Sequence, residues 1–158
     1  MACGVDTNET FVADCKKLGY DATLGDALEE LAKKKSGSLA IVSGFHLVEH
    51  IEFEYLLQLF KECYRALATG GILIFETPNP ENLLVSTQTF YLDPTHRNPI
   101  PPNLLEFCAK YCGFGRVHRK PSSPYSKDQL IPGRGPTNTK LNELLYGPQD
   151  YAIIAYKS

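Results

Sequence analysis

Apolar positions in this 158-residue chain alternate between short β-rich runs and stretches with helical spacing. That alternation predicts an α/β sheet with crossover helices. Ala2 to Val5 reads as a strand. Asn8 to Leu18 reads as a helix with Phe11, Val12, Cys15 and Leu18 on one face and Gly19 as its stop. Ala22 to Leu24 is a weak strand, and Asp26 is placed to cap the helix ALEELAKKK. Ser38 to Val42 is a continuous apolar run, as a strand buried on both faces should be. Phe53 to Ala68 carries the clearest helical stripe, formed by Leu56, Leu59, Phe60, Cys63 and Leu67. Thr69-Gly70-Gly71 breaks it, and Ile72 to Phe75 gives another buried strand.

After Glu76 the periodicity loosens. TPNPENLLVSTQTFYLDPTHRNPIPP is proline-rich and reads as a long irregular segment with about one turn of helix. Long structured loops inside compact domains tend to be functional. A helix over Pro102 to Tyr111 follows, then a strand near Arg116 to Arg119 and a mobile or extended loop over Pro121 to Pro136. DYAIIAYK, residues 150–157, forms a final strand.

Composition narrows the function. At 43% hydrophobic and 22% charged, the chain suits one globular domain. A formal net charge of -2 argues against a nucleic-acid footprint. Lys33-Lys34-Lys35 suits a solvated helix end. No apolar stretch is long enough to span a bilayer and no secretory leader pattern opens the chain, so a cytoplasmic location is expected. The 5 cysteines form no CxxC pair. Neither a disulfide framework nor a zinc site is therefore expected, and no metal.

In an open parallel sheet, ligands sit beyond the carboxyl ends of the strands. The residues that follow the successive strands are Asp6, Gly25-Asp26, SGFHLVEH and ETPNPEN. Two carboxylates one strand apart suit a nucleoside, the first accepting from ribose hydroxyls and the second from an exocyclic amine. Either carboxylate alone serves equally well as a helix cap. The pair with Gly25 beside it favours the nucleoside.

GVDTNE, GDALEEL, SGFHLVEH and RALATGGILIFETPNPEN together resemble class I S-adenosylmethionine-dependent methyltransferases in order and spacing. FHLVEH, ETPNPEN and FYLDPTH look most like bacterial methyltransferases of O-antigen, surface-polysaccharide and lipid-quinone chemistry. The resemblance runs to about Arg119. It implies a Rossmann-like seven-stranded sheet whose reversed final hairpin pairs 116–119 with 150–157. It places Asp6 at the cofactor ribose, and Gly25, Asp26 and Ala27 at the adenine. Ser43, Gly44 and Phe45 would line the floor under the methionine moiety, with His46, Glu49 and His50 facing the acceptor or the methyl group. His46 is the candidate general base. Some relatives hold a divalent cation through the Glu49 and His50 positions with a carboxylate in place of His46, and histidine there argues against that metal. Asn79, Asp93, His96 and Arg97 would lie on the acceptor side, although Asp93-Pro94 could equally initiate a turn. The implied activity is O-methylation of a small molecule or glycan.

The family's glycine-rich loop, and the central strand before it, are missing ahead of the Asp6 strand. A single N-terminally truncated domain is expected. Either the flanking strands close up or another chain covers the gap, as in a homodimer, and both predict weak cofactor binding by this chain alone. The alternative is a non-catalytic methyltransferase-like module with a structural or interaction role. A dehydrogenase is weaker still, since it too wants a glycine-rich loop.

Overall fold

The computed structural model describes residues 2–158. Strands β1 (Gly4–Asp6) and β2 (Ala22–Leu24) form a small parallel sheet, with helix α1 (Glu9–Lys17) crossing between them. Helix α2 (Ala27–Ala32) follows β2. Strands β3 (Leu39–Phe45), β4 (Leu67–Pro78), β6 (Asp150–Tyr156) and β5 (Arg116–Ser122) form a second sheet in that order. The β3–β4 pair is parallel, and β6 runs antiparallel to both of its neighbours. The expected reversed hairpin is present, with Arg116 opposite Tyr156 and Ser122 opposite Asp150.

Helix α3 (Phe53–Ala66) bridges β3 and β4, and its predicted stripe forms the heart of the molecule. Leu56, Leu59, Phe60 and Cys63 are buried against Leu73, Phe75 and Ile153 of the sheet and against Leu105 and Cys108 of helix α5 (Pro102–Tyr111). Phe60 meets Phe75 edge-on at 5.2 Å between ring centroids.

Four expectations are corrected. The β1 and β3 strands do not close up: β1 pairs only with β2 and β3 only with β4, so among the described residues nothing lies in the ladder position between them. For the same reason β3 is an edge strand rather than one buried on both faces, and its Ile41 and Phe45 are each 59% exposed. The α1 stripe buries Val12 alone, leaving Phe11 and Leu18 in solvent, because only the small two-stranded β1–β2 sheet backs it. The 121–136 loop is partly regular, with β5 reaching Ser122 and a 3-10 turn at Lys127–Gln129. Helix α6 (Pro136–Leu145), which the sequence pattern did not reveal, starts on Pro136 as its first residue.

The irregular segment contains helix α4 (Leu83–Thr87), capped by the Asn82 side chain, and a 3-10 turn at Thr89–Leu92. The small sheet is tied to the large one through α2 and α3: Tyr55 of α3 donates its hydroxyl proton to Asp26 Oδ2 at 2.6 Å. It also accepts from the Leu28 N–H at 3.1 Å.

Candidate active site

All four parallel strands end on one side of the molecule, and the predicted site residues gather there. Asp6 ends β1, where its Oδ1 accepts from the Asn8 N–H at 2.7 Å. Its carboxylate is exposed, and among the described residues no side chain is hydrogen-bonded to it. Asp26 caps α2: Oδ1 accepts from the N–H groups of Leu28 and Glu29, and Oδ2 from Tyr55. Burial would raise the Asp26 carboxyl, but these hydrogen bonds, that from Tyr55 foremost, hold it below its ordinary range. Burial and the neighbouring Asp26 push the Tyr55 phenol up to about 12. Asp26 thus works as a cap, with little acceptor capacity left for a ligand. Gly25 and Ala27 flank it, the Gly25 N–H bonded to the Asp6 carbonyl at 3.0 Å.

Ser43, Gly44 and Phe45 form the end of β3. A Cβ on Gly44 would stand 3.0 Å from the Phe75 ring, so this position keeps the two strands in close approach. His46 follows with a φ of 49°, a left-handed conformation for a residue with a side chain. Its N–H bonds the Glu76 carbonyl at 3.0 Å, which fixes the turn off the strand.

That turn leads into the 3-10 segment Val48–His50 and places Glu49 inside the protein, 1% exposed. Glu49 Oε1 lies 3.1 Å from His46 Nδ1, and Oε2 accepts from the Thr77 hydroxyl at 2.9 Å. A carboxylate only accepts, so Nδ1 carries the proton and the His46 Nε2 lone pair is free. Burial would raise the Glu49 carboxyl, yet the bonds from His46, its own backbone and Thr77 hold it below its ordinary value. The Glu49 hydrogen bond raises His46 above an ordinary imidazole against the opposing effect of burial, and the charges of Glu49, Asp150 and Glu76 add to the rise.

The segment after α4 folds back onto this turn. The Arg97 N–H bonds the Glu49 carbonyl at 2.9 Å, its Nε bonds the His50 carbonyl at 3.0 Å, and its guanidinium pairs with Glu52. Thr95 Oγ1 lies 3.0 Å from His50 Nδ1 and donates to Asp93 Oδ1 at 2.6 Å. His96 Nδ1 donates to the Phe90 carbonyl at 2.6 Å, and its ring lies 4.7 Å from that of His50. Asp93 accepts from the Thr95 hydroxyl and backbone, which lowers its carboxyl, so its local role is that of a turn residue. A cavity of about 320 Å³ sits beside this segment, bounded by Pro78, Phe90, His96, Ser123, Gln149 and Asp150.

The structure therefore brings His46, Glu49, His50 and His96 together, and commits Arg97 and Asn79 to the protein itself. Asn79 donates to the Pro148 carbonyl at 3.0 Å and accepts from the Glu81 N–H. Glu49, His50 and His96 hold donor atoms within 4.8 Å of one another. Both Glu49 oxygens already accept protons from His46 and Thr77, which commits the carboxylate to a hydrogen-bonded pair. Sequence reasoning missed Thr77 and Tyr55. The available signal for Thr77 was a polar residue in the buried phase of the ILIFETP strand.

Two parallel strand pairs with crossover helices and a reversed terminal hairpin make this a Rossmann-like α/β fold. A methyltransferase-domain family profile matches residues 1–75. A solved S-adenosylmethionine-dependent methyltransferase from Archaeoglobus fulgidus is 32% identical, with a TM-score of 0.91 over 98% of this chain and 75% of that one. The chain belongs to the S-adenosylmethionine-dependent methyltransferase family. Two more distant structures share the fold. One is a Thermotoga maritima protein described as a possible histamine N-methyltransferase, 17% identical with a TM-score of 0.73 over 100% of this chain and 73% of that one. The other is phosphoethanolamine N-methyltransferase 2 of Haemonchus contortus in complex with S-adenosyl-L-methionine, 18% identical with a TM-score of 0.67 over 98% and 42%. Comparison with curated proteins gives no match. Among the described residues no helix is long and apolar enough to cross a membrane.

Proposed function

We propose that this chain binds S-adenosylmethionine across the carboxyl ends of β1 to β4 and methylates an oxygen of a small molecule or glycan. The observation that carries the reading is the buried Glu49 carboxylate, which orients His46 and leaves its Nε2 lone pair free at the end of β3. Asp6, with one carboxylate oxygen unshared, would hold the ribose hydroxyls. Asp26, already a cap, would contribute chiefly through the backbone of Gly25 and Ala27 near the adenine. Ser43, Gly44 and Phe45 would lie under the methionine portion.

The bound cofactor supplies a methyl group on a sulfonium, open to in-line displacement. His46 Nε2 would take the proton of the acceptor hydroxyl, and the β3 end would hold the acceptor in line with the methyl group. Glu49 stabilises the imidazolium that results. His50 and His96 border the acceptor, with the 320 Å³ cavity as its seat. The uncovered edge of β3 would be closed by a second copy of the chain.

Melting with and without S-adenosylmethionine tests the binding claim. A saturable upward shift supports it, as expected of a ligand that binds only the folded state. No shift at millimolar cofactor overturns it. That result would select the second reading, a non-catalytic structural or interaction module. Light scattering tests the pairing of copies: a monomer at all accessible concentrations removes the homodimer.

A further inference from the structure

Thr77 ends β4 with no exposed surface, directly opposite Tyr151 in the antiparallel β4–β6 ladder. Its hydroxyl proton goes to Glu49 Oε2 at 2.9 Å. Thr77 lies in the ETPNPEN segment, and the fold brings it to Glu49 by placing the end of β4 under the turn that follows β3. We propose that Thr77 is a positioning residue: it fixes the Glu49 carboxylate in one orientation and shares its negative charge with His46, and so sets how firmly His46 holds a proton. The proposal rests on the reading of His46 as the proton acceptor.

The argument follows from counting donors to a buried charge. Glu49 has its two oxygens facing two different protons, His46 Nδ1–H on one and the Thr77 hydroxyl on the other. A buried carboxylate needs such donors, and each one draws charge away from the other. If Thr77 donates, His46 sees a carboxylate already partly satisfied. If it does not, Glu49 keeps only His46 and its own backbone as donors, and a larger share of the charge falls on His46. The Thr77 bond thereby limits how far Glu49 raises the His46 ring above an ordinary imidazole. The other charged groups that face this pair are Glu76 of β4 and Asp150 of β6, both negative toward His46. His50 and His96 stand beside Glu49, and Tyr151 feels its charge from β6. Besides His46 and the backbone of Glu49 itself, Thr77 is the donor that holds the carboxylate low, and it is the one a side-chain substitution can remove.

Thr77→Val keeps the shape and removes the proton. The titration of the His46 ring, followed by NMR and assigned with His46→Gln, is expected to move upward by about 0.5–1 pH unit in Thr77→Val. Thr77→Ser restores the wild-type value. If methyl transfer is established, the acidic limb of its pH profile moves upward by the same amount. A role in packing alone would lower the melting temperature of the valine variant and leave the His46 titration where it was. An unmoved or lowered His46 titration in folded Thr77→Val therefore overturns the proposal. Should Thr77→Val fail to fold, Thr77→Cys, a near-isosteric weak donor, must show the same upward direction with a smaller shift, and no shift there overturns it. The titration needs neither cofactor nor acceptor, so failed methyl transfer with a moved His46 titration would overturn the function reading and leave this inference standing.

Discussion

Replacing Glu49 by Gln isolates the charge of the His46–Glu49 pair. Glutamine preserves the side-chain volume and can still accept the Thr77 proton, so the core is not opened. What is lost is the attraction between an ionised Glu49 and a protonated His46, 3.1 Å apart. The His46 side chain is 49% exposed, which places the pair nearer to a surface ion pair than to a buried one. Its worth is therefore about 1 kcal/mol. The pH dependence has a definite sign. His46 binds its proton more tightly folded than unfolded, so its contribution is full below the ordinary imidazole range and lost as pH rises through the raised folded value. Glu49 is held low, so its contribution is present above the ordinary glutamate range and lost as pH falls through the lowered folded value. The two windows overlap between about pH 4.5 and 6.5. Urea unfolding at a series of pH values, followed by tyrosine fluorescence since the chain has 9 tyrosines and no tryptophan, gives the stability difference between wild type and Glu49→Gln. The difference should be greatest near pH 5–6 and shrink above pH 8. A difference that is flat with pH, or largest above pH 8, would refute the coupled pair.

Phe60→Ala empties the centre of the α3 stripe, where Phe60 is fully buried against Phe75 and Phe114, and should cost about 3–5 kcal/mol in urea unfolding. Tyr55→Phe removes the donor to Asp26 and the acceptor of the Leu28 N–H, a loss of about 1–2 kcal/mol, with faster amide exchange expected at Leu28 and Glu29. Gly44→Ala pushes a methyl to 3.0 Å from the Phe75 ring and should cost about 1–3 kcal/mol in the same assay, a value near zero showing that the ring yields.

The parts legible in the sequence were those where local chemistry and tertiary burial agree. α3 was readable because the face carrying Leu56, Leu59, Phe60 and Cys63 is the face the sheet covers. The cap at Asp26 was readable because it rests on local hydrogen bonds to the Leu28 and Glu29 N–H groups. α6 escaped because its stripe is weak: Leu141 and Leu144 remain well exposed, so no burial pattern was written into PTNTKLNELL. Within the site, His46, Glu49 and His50 lay within one motif and could be grouped by eye. Thr77 and Tyr55 could not, since each reaches its partner across a separation of 28 or 29 residues.

The misreading of β3 has the most consequence for function. Its apolar run, SLAIV, reads as a strand buried on both faces, whereas among the described residues β3 pairs with β4 alone and its other edge leaves a vacancy in the ladder toward β1. Asp6 and His46, the two groups that would hold opposite ends of a bound cofactor, lie on either side of that vacancy. The α2–α3 contact ties the two sheets together, and the Tyr55–Asp26 hydrogen bond is its polar link at the end nearest the site, with Arg65 bonding the Leu31 and Lys34 carbonyls at the other end. A ligand that touches both groups must then fix the relative position of two sheets, and part of its binding energy goes into that ordering. Breaking the link should therefore weaken cofactor binding at the distant Asp6 as well as at the adenine. If Tyr55→Phe binds S-adenosylmethionine as tightly as wild type, packing and the Arg65 hydrogen bonds suffice to hold the two sheets and this argument fails.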